Sequence, residues 1–390
     1  VVAAFAAIRA VEHNSQAAVM APTELLAEQH FHNFSNWLTP LGIKVTLLTG
    51  QMSAKVKRET LEEIANGAAQ VIVGTHALFQ DSVNFARLAL VIIDEQHRFG
   101  VHQRMILQNK GNFPHQLVMT ATPIPRTLTM TLYADMDVSV IDELPKGRQP
   151  ITTHTVKEDN REKVIQQVTQ ALALGQQAYW VCTLIEDSDE IDAVSANACF
   201  AYLSKKLPKF RVGLLHGRMR GDEKITIMDA FKSGEYDILV ATTVVEVGVD
   251  VPNATHMVIE NSERLGLAQL HQLRGRVGRG QVASRCFLLF KPGLSQAGQH
   301  RLNALRQSQG GFYLAEQDLK LRGPGDILGT RQAGEQSFKI ADLAVHAFLM
   351  PRVIKRSETL MNAAPGTDEY ETLKGLLLTW APADHGHLTV

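Results

Sequence analysis

A chain of 390 residues, 45% hydrophobic and 20% charged, has the length for two or three domains with a core in each. Its 39 basic and 40 acidic side chains leave a formal charge of −1, which excludes a cationic field over the whole surface; any nucleic-acid face has to be local. No stretch approaches the roughly twenty apolar residues that a membrane-spanning helix needs. Cys182, Cys199 and Cys286 are odd in number and far apart, which fits reduced thiols in a cytoplasmic setting. The 15 histidines show no metal pattern, and His30 and His32, two apart, do not share a helix face.

In chain order, Val1–Glu12 reads as an Ala-rich helix without the basic leader of a signal peptide, and the expectation is that it lies inside a longer protein. Gln16–Ala21 then reads as a strand, followed by an amphipathic helix over Glu24–Trp37. Further strands are expected at Val45–Leu48, Val71–Val73, Leu88–Ile93 and Gln116–Met119, with helices at Ser53–Ala65 and after Pro125. Pro145, Gly147 and Pro150 punctuate a polar linker over Asp142–Pro150. The architecture then repeats. Strands are expected at Ile151–Val156, Ala178–Leu184, Val212–His216, Ile238–Ala241, His256–Glu260 and Cys286–Phe290. One helix should open on Asp159 as N-cap and close at Gly175, and another should span Asp222–Lys232. After about Phe290 the strands stop and helical and loop-rich patterns take over. The expected fold class is therefore α/β, two parallel-sheet lobes in tandem plus a C-terminal helical region, with domains at 1–148, 149–292 and 293–390.

The stretch around Leu88–His97 carries the clearest chemistry. Six residues, mostly apolar and branched, predict a strand buried on both faces, and Asp94 and Glu95 follow at its carboxyl end, where open α/β sheets bind ligands. Asp94 can hold the water shell of a Mg²⁺ ion, and Glu95 can orient and deprotonate an attacking water. An apolar strand ending in a solvated acidic turn is the alternative. Pro22 and Thr23 stand at a strand-to-helix junction whose free N–H groups can hold phosphate, or where Thr23 merely caps the helix. Thr75 and His76 follow a strand in the same way. Thr120 and Thr122 end the strand expected beside the central one, where hydroxyls could relay the state of the Mg²⁺ site. Thr242 and Thr243 follow another buried strand and suit contact with a nucleic-acid backbone, with Gly248 and Asp250 nearer the nucleotide. Gln272–Gly280 brings three arginines, Arg274, Arg276 and Arg279, into one glycine-rich segment. Such a surface grips phosphate oxygens, either on DNA or as arginine fingers for the neighbouring lobe.

Asp94-Glu95-Gln96-His97 resembles motif II of the superfamily 2 helicases. Ala21–Leu25, Thr120–Pro125, Ala241–Asp250 and Gln272–Gly280 resemble motifs Ia, III, V and VI, in order across two lobes. Gln177–Thr183 and Leu215–Arg218 fit the variable motifs between them. Ala315–Gln332, with Gly-Pro-Gly followed by Gly-Thr-Arg-Gln, resembles the element of the bacterial RecG family, which that family shares with the transcription-repair coupling factor. The resemblance implies two RecA-like lobes, ATP and Mg²⁺ as cofactors, and a cytoplasmic monomer acting in DNA recombination and repair. The implied partners are branched double-stranded DNA (stalled forks and Holliday junctions) and single-stranded DNA-binding protein. It gives Asp94, Glu95, Gln272, Arg276 and Arg279 catalytic roles, and His97, Thr120, Thr122, Gly248 and Asp250 nucleotide and coupling roles. Pro22, Thr23, Thr75, His76, His216, Thr242 and Thr243 are implied on DNA, and Arg301, Arg322 and Gln332 in a translocating helical hairpin and loop.

The sequence departs from that pattern at one point: it contains no G-x-x-x-x-G-K-[ST] phosphate loop. The expectation is a parent ATP-driven helicase whose isolated segment is close to inactive. A coupling-factor translocase or a non-catalytic DNA-binding module are the alternatives.

Overall fold

The computed structural model describes residues 1–50, 52–95, 110–111, 113–120, 137–141, 143, 148–183, 189–246, 251–322, 346 and 349–380. The first lobe runs α1 (Val2–Glu12), β1 (Gln16–Met20), α2 (Glu24–Leu38), β2 (Val45–Leu48), α3 (Ala54–Ala65), β3 (Val71–Gly74), β4 (Leu88–Asp94) and β5 (His115–Met119). Its five strands are all parallel, in the order β2-β3-β1-β4-β5. Parallel strands joined by helices must be covered on both faces, and the sequence of β4 meets that demand. Leu90 and Ile92 enter a core with Ala7, Leu26 and Phe34 of α1 and α2, while Leu88, Val91 and Ile93 enter the opposite one with Ile64 and Leu78.

The second lobe runs β6 (Ile151–Lys157), α4 (Arg161–Ala173), β7 (Gln177–Val181), α5 (Asp189–Lys206), β8 (Val212–Leu215), α6 (Gly221–Lys232), β9 (Ile238–Ala241), β10 (Ala254–Ile259), α7 (Leu267–Arg274) and β11 (Ser284–Phe290). All six strands are parallel, in the order β6-β11-β10-β7-β9-β8. The N-cap position of α4 belongs to Asn160 and not to Asp159, because Glu158–Asn160 form a 3₁₀ turn that advances the helix start. Gly175 closes the helix connection as expected, at φ +77°.

Aligned from opposite ends, the two sheets correspond strand for strand: β1 with β7, β3 with β9, β4 with β10 and β5 with β11. A pair of buried glutamines marks the correspondence. Gln16 opens β1, and its amide donates to the carbonyls of Ile64 (2.9 Å) and Ala69 (2.8 Å). Gln177 opens β7 and donates to the carbonyls of Phe231 and Tyr236, in the same relation to the helix that leads into the neighbouring strand β9 as Gln16 has to the helix that leads into β3. Each amide donates to a helix C-terminal carbonyl, which also accepts a backbone N–H, and to a second carbonyl in the turn that follows that helix.

Beyond β11 lie α8 (Gln296–Gln307) and α9 (Gly311–Arg322), then α10 (Met350–Met361) and α11 (Asp368–Trp380), which pack on each other. By contact density Val1–Pro123 and Asp142–Gln317 form one compact unit, which contains both sheets, and Ile124–Ile141 with Asp318–Val390 form another. Within the first unit α2 touches α6, and burial there raises the Glu28 carboxyl above its usual range, with Glu24 and Asp229 adding to the rise against the opposing effect of His32. No described helix is long and apolar enough to cross a membrane.

Replacing Gln16 or Gln177 by Ala removes a side-chain donor from two inward carbonyls, of which Ile64 or Phe231 keeps a backbone donor from Gly67 or Gly234. We expect each substitution to cost about 1–3 kcal/mol of unfolding free energy, read from urea denaturation. A change below about 0.5 kcal/mol would mean that water reaches those carbonyls after all.

Candidate functional site

The carboxyl end of β4 delivers two acids in different settings. Asp94 is the last residue of the strand, and its side chain is 20% exposed. Its Oδ1 accepts the Glu95 N–H at 3.0 Å, and its Oδ2 accepts Nε2–H of His30, on α2, at 2.7 Å. Glu95 is 7% exposed and has a left-handed backbone, φ +52°. For a residue with a Cβ that conformation costs on the order of 1–3 kcal/mol, and it turns the Glu95 side chain out of the strand direction. The donor set fits a Mg²⁺ site: hard carboxylate oxygens at the end of a parallel strand, each Asp94 oxygen with capacity beyond its one hydrogen bond. His97 and Thr122 lie outside the described residues. Thr120 is exposed just past β5, whose Met119 is in register with Asp94.

In the second lobe the corresponding strand, β10, is followed by Glu260 and then by Asn261, left-handed at φ +46° as Glu95 is. Here the acid is already neutralised. Glu260 Oε1 accepts Arg161 Nη2–H at 2.6 Å and Trp180 Nε1–H at 2.7 Å. The Arg161 guanidinium also stacks on Trp180 and Tyr202, 5.4 and 4.5 Å from the ring centroids. Cys182 and Cys199, seventeen positions apart, meet Glu260 with ligand atoms within 4.8 Å of one another. Their sequence spacing had given no sign of this. A hydrogen bond to Cys199 and burial push the Cys182 thiol well above its ordinary range, so the cluster is a protonated thiol beside a closed Arg–Glu pair. A cavity of about 650 Å³ lies elsewhere, along β6, lined by Lys157, Lys163, Arg306 and Phe290, and touches neither acid.

The glycine-rich arginine segment follows α7, and the three-arginine surface expected there needs correction. Arg274 points inward, 2% exposed, and its Nη1 donates to the carbonyls of Leu305 (2.7 Å) and Ser308 (2.8 Å) at the end of α8. It lies on the helix face that packs against α8, so it is a strut rather than part of a cationic face. That leaves Arg276 and Arg279, with Arg279 Nε donating to the Gly275 carbonyl at 3.1 Å. Gly278 has φ +73°, and a Cβ there would crowd Ile151 at 2.7 Å; at Gly280 a Cβ would meet the Pro252 carbonyl. These glycines let the loop lie flat on its own lobe. Gln272 is 9% exposed, and its amide nitrogen is buried without a hydrogen-bond partner among the described residues.

The remaining expected positions divide by burial. Thr23 caps α2, its hydroxyl accepting the Leu26 N–H at 3.3 Å, with Pro22 half-buried beside it. Thr75 (1% exposed) and Thr242 (2% exposed) are beneath the surface, which corrects their expected place on a nucleic-acid face. Each directly follows a strand that is buried at every position, so burial runs on past the strand end. Their neighbours His76, exposed, and Thr243, half-buried, are the accessible ones, as is half-buried His216. Arg301 docks α8 on its own lobe through the Glu263 carbonyl at 2.8 Å. Arg322 ends α9; Gly248, Asp250 and Gln332 lie outside the described residues.

Comparison with known proteins agrees with this arrangement. Residues 1–131 match the DEAD/DEAH box helicase family, 156–281 the helicase conserved C-terminal domain, and 308–377 the C-terminal part of domain 3 of the ATP-dependent DNA helicase RecG. The ATP-dependent DNA helicase RecG of Escherichia coli (strain K12) is 56% identical over 386 residues, covering 98% of this chain and 55% of that protein. That of Haemophilus influenzae is 54% identical over 373 residues, covering 94% and 54%. The chain thus spans about half the length of the curated relatives it matches. A solved structure of RecG bound to a three-way DNA junction is similar at a TM-score of 0.69 and 43% identity, covering 90% of this chain and 45% of that one.

The strut role of Arg274 is open to test. Arg274→Ala removes the donor from two carbonyls and is expected to destabilise the chain by about 2–4 kcal/mol in urea denaturation, with Arg274→Lys recovering only part. A stability loss below about 0.5 kcal/mol would return Arg274 to the surface group.

Proposed function

The chain is a RecG-type member of the superfamily 2 helicases, and from that premise we propose that it forms the ATP-driven motor of a translocase acting on branched double-stranded DNA. The observation that carries the reading is the Asp94–Glu95 pair, set at the carboxyl end of a fully covered parallel strand and held from both sides. Its proposed organisation is two lobes, 1–148 and 149–292, with 293–390 carrying the translocation hairpin. The three-way junction bound by the similar RecG structure supports branched DNA as the substrate class, and regression of stalled forks and migration of Holliday junctions are the activities proposed. The match of 308–377 to RecG domain 3 favours this over a coupling-factor translocase. A monomeric, cytoplasmic enzyme that also meets single-stranded DNA-binding protein completes the proposal.

Bound Mg²⁺·ATP supplies the phosphoanhydride that water cleaves. Asp94 would hold Mg²⁺ through its water shell, and the Glu95 carboxylate would accept a proton from the attacking water. Gln272 offers its buried amide to the reacting phosphate. Arg276 and Arg279 steady the charge that develops on the γ-phosphate oxygens. Thr120 and Thr122, with His97, Gly248 and Asp250, pass the nucleotide state between lobes. DNA phosphates are held by the first turn of α2 at Pro22 and Thr23, and by His76, His216 and Thr243. Thr75 and Thr242 back these contacts from beneath.

Because the 390 residues include no phosphate loop, hydrolysis is measured with the chain joined to a segment that carries one. Glu95→Gln is expected to keep ATP binding and lose about 10²-fold or more of DNA-stimulated turnover. Arg279→Ala should lose on the order of 10³-fold while sparing DNA binding. A variant at Arg279 that loses DNA affinity yet hydrolyses normally would place the arginines on DNA instead.

The hairpin is tested separately by recording ATPase and fork-unwinding rates on one preparation. Arg322→Ala and Gln332→Ala should leave most hydrolysis and lose unwinding; Arg301→Ala, which also frees α8 from Glu263, should do the same. A proportional fall of both rates would put these residues in the catalytic machinery or the fold.

A further inference from the structure

α2 lays a stripe on the first sheet: Leu26, Ala27, Phe34 and Leu38 are buried, at the three- and four-residue spacing of one helix face. His30 falls in that stripe, where a Leu or Ile would pack as well. Instead of apolar carbon it brings an N–H donor, and the acceptor is the one acid that the site assigns to Mg²⁺. Nε2 of His30 lies 2.7 Å from Oδ2 of Asp94, both side chains are about one-fifth exposed, and the ring meets Phe34 edge-on at a centroid distance of 6.4 Å. Phe34 and the helix fix the ring, and the ring fixes the carboxylate. The Glu95 N–H takes the other oxygen, so both Asp94 oxygens are oriented by donors that belong to the chain.

The second lobe supplies the contrast. At the corresponding strand end, Glu260 is closed by a full cation, Arg161, with Trp180 as a second donor on the same oxygen. That carboxylate's charge is already balanced by a guanidinium. At Asp94 an imidazole N–H on one oxygen and a backbone N–H on the other orient the carboxylate, and each oxygen has lone-pair capacity beyond its one hydrogen bond. Imidazole is itself a poor partner for Mg²⁺, which prefers oxygen, so His30 suits a supporting role behind the carboxylate and not metal ligation.

We propose that His30 is a positioning residue of the Mg²⁺ site: it sets the plane of the Asp94 carboxylate and ties that plane to the helix whose first turn carries Pro22 and Thr23. α2 is one continuous helix from its Thr23 cap past His30, and the rise of about 1.5 Å per residue puts two turns between them. A shift of α2 on binding DNA phosphate therefore moves the ring that holds Asp94. By linkage, metal at Asp94 and DNA at the start of α2 affect each other's affinity by the same factor. This inference rests on the assignment of Asp94 to Mg²⁺.

The test uses the chain joined to a phosphate-loop segment, loaded with a non-hydrolysable ATP analogue, with Mn²⁺ affinity read by electron paramagnetic resonance with and without duplex DNA. His30→Ala is expected to weaken Mn²⁺ about 10- to 100-fold and to abolish the change that DNA makes in that affinity. His30→Gln, whose amide can still donate, should recover much of both, and hydrolysis by His30→Ala should recover at high Mg²⁺. Unchanged Mn²⁺ affinity in His30→Ala, with Asp94→Ala strongly weakened, would overturn the role of His30 and leave the Asp94 site standing. Unchanged affinity in Asp94→Ala would overturn both. A loss in His30→Ala that tracks a lowered melting temperature and is not relieved by His30→Gln would mark His30 as a packing residue and also defeat the proposal.

Discussion

Burial of β4 on both faces is the constraint from which the site follows. Leu90 and Ile92 on one side and Leu88, Val91 and Ile93 on the other commit the strand to a sheet covered by helices above and below. A chain so covered can place ionisable groups only where the strand ends. The backbone enforces the exit: the left-handed Glu95 turns the chain immediately after Asp94. Two adjacent acids therefore face different surroundings, one oriented by donors and partly open, the other nearly buried. Such asymmetry is what separates a metal-holding carboxylate from a proton-accepting one.

The same framework occurs twice, and the two copies have been put to different uses. Gln16 and Gln177 perform one task at the start of equivalent strands, each donating to carbonyls at the end of the helix that leads into the neighbouring strand. Glu95 and Asn261 share a left-handed turn after equivalent strands. The difference lies in who answers the acid. Arg161 pairs with Glu260 and is itself stacked on two aromatic rings. His30 answers Asp94 with one hydrogen bond to one carboxylate oxygen, which orients it. Fold symmetry thus supplies the position, and the partner side chain decides whether it becomes a strut or a site.

Arginine makes the same point in the segment after α7. Arg274, Arg276 and Arg279 look alike in composition, yet Arg274 spends its charge on the carbonyls of Leu305 and Ser308 and so fastens α8 to the second lobe. Arg301 fastens the same helix through Glu263. The helix that follows the lobe is thus fastened to the end of α7, from which the arginine loop leaves.

Much of the fold was determined by sequence alone. Runs such as Val71–Val73 and Leu88–Ile93, short, β-branched and bounded by turn signals, read as covered strands. The helix patterns between them demand parallel crossovers, and strand limits came within a few residues because burial periodicity is a local property. The Asp94–Glu95 pair was legible for the same reason: it interrupts an apolar run at one definite place. Other features were decided only by tertiary structure. Thr75 and Thr242 read as surface hydroxyls but lie buried just past strands that are covered on both faces; Arg274 read as surface charge but faces α8. His30 was passed over because its spacing to His32 carried no signal, while its partner is 64 positions away. Cys182, Cys199 and Glu260 met through a strand, a helix and another strand. Local patterning fixes which face of an element is apolar. Which polar group on that face finds which partner depends on how elements distant in sequence are stacked, and only the folded chain contains that information.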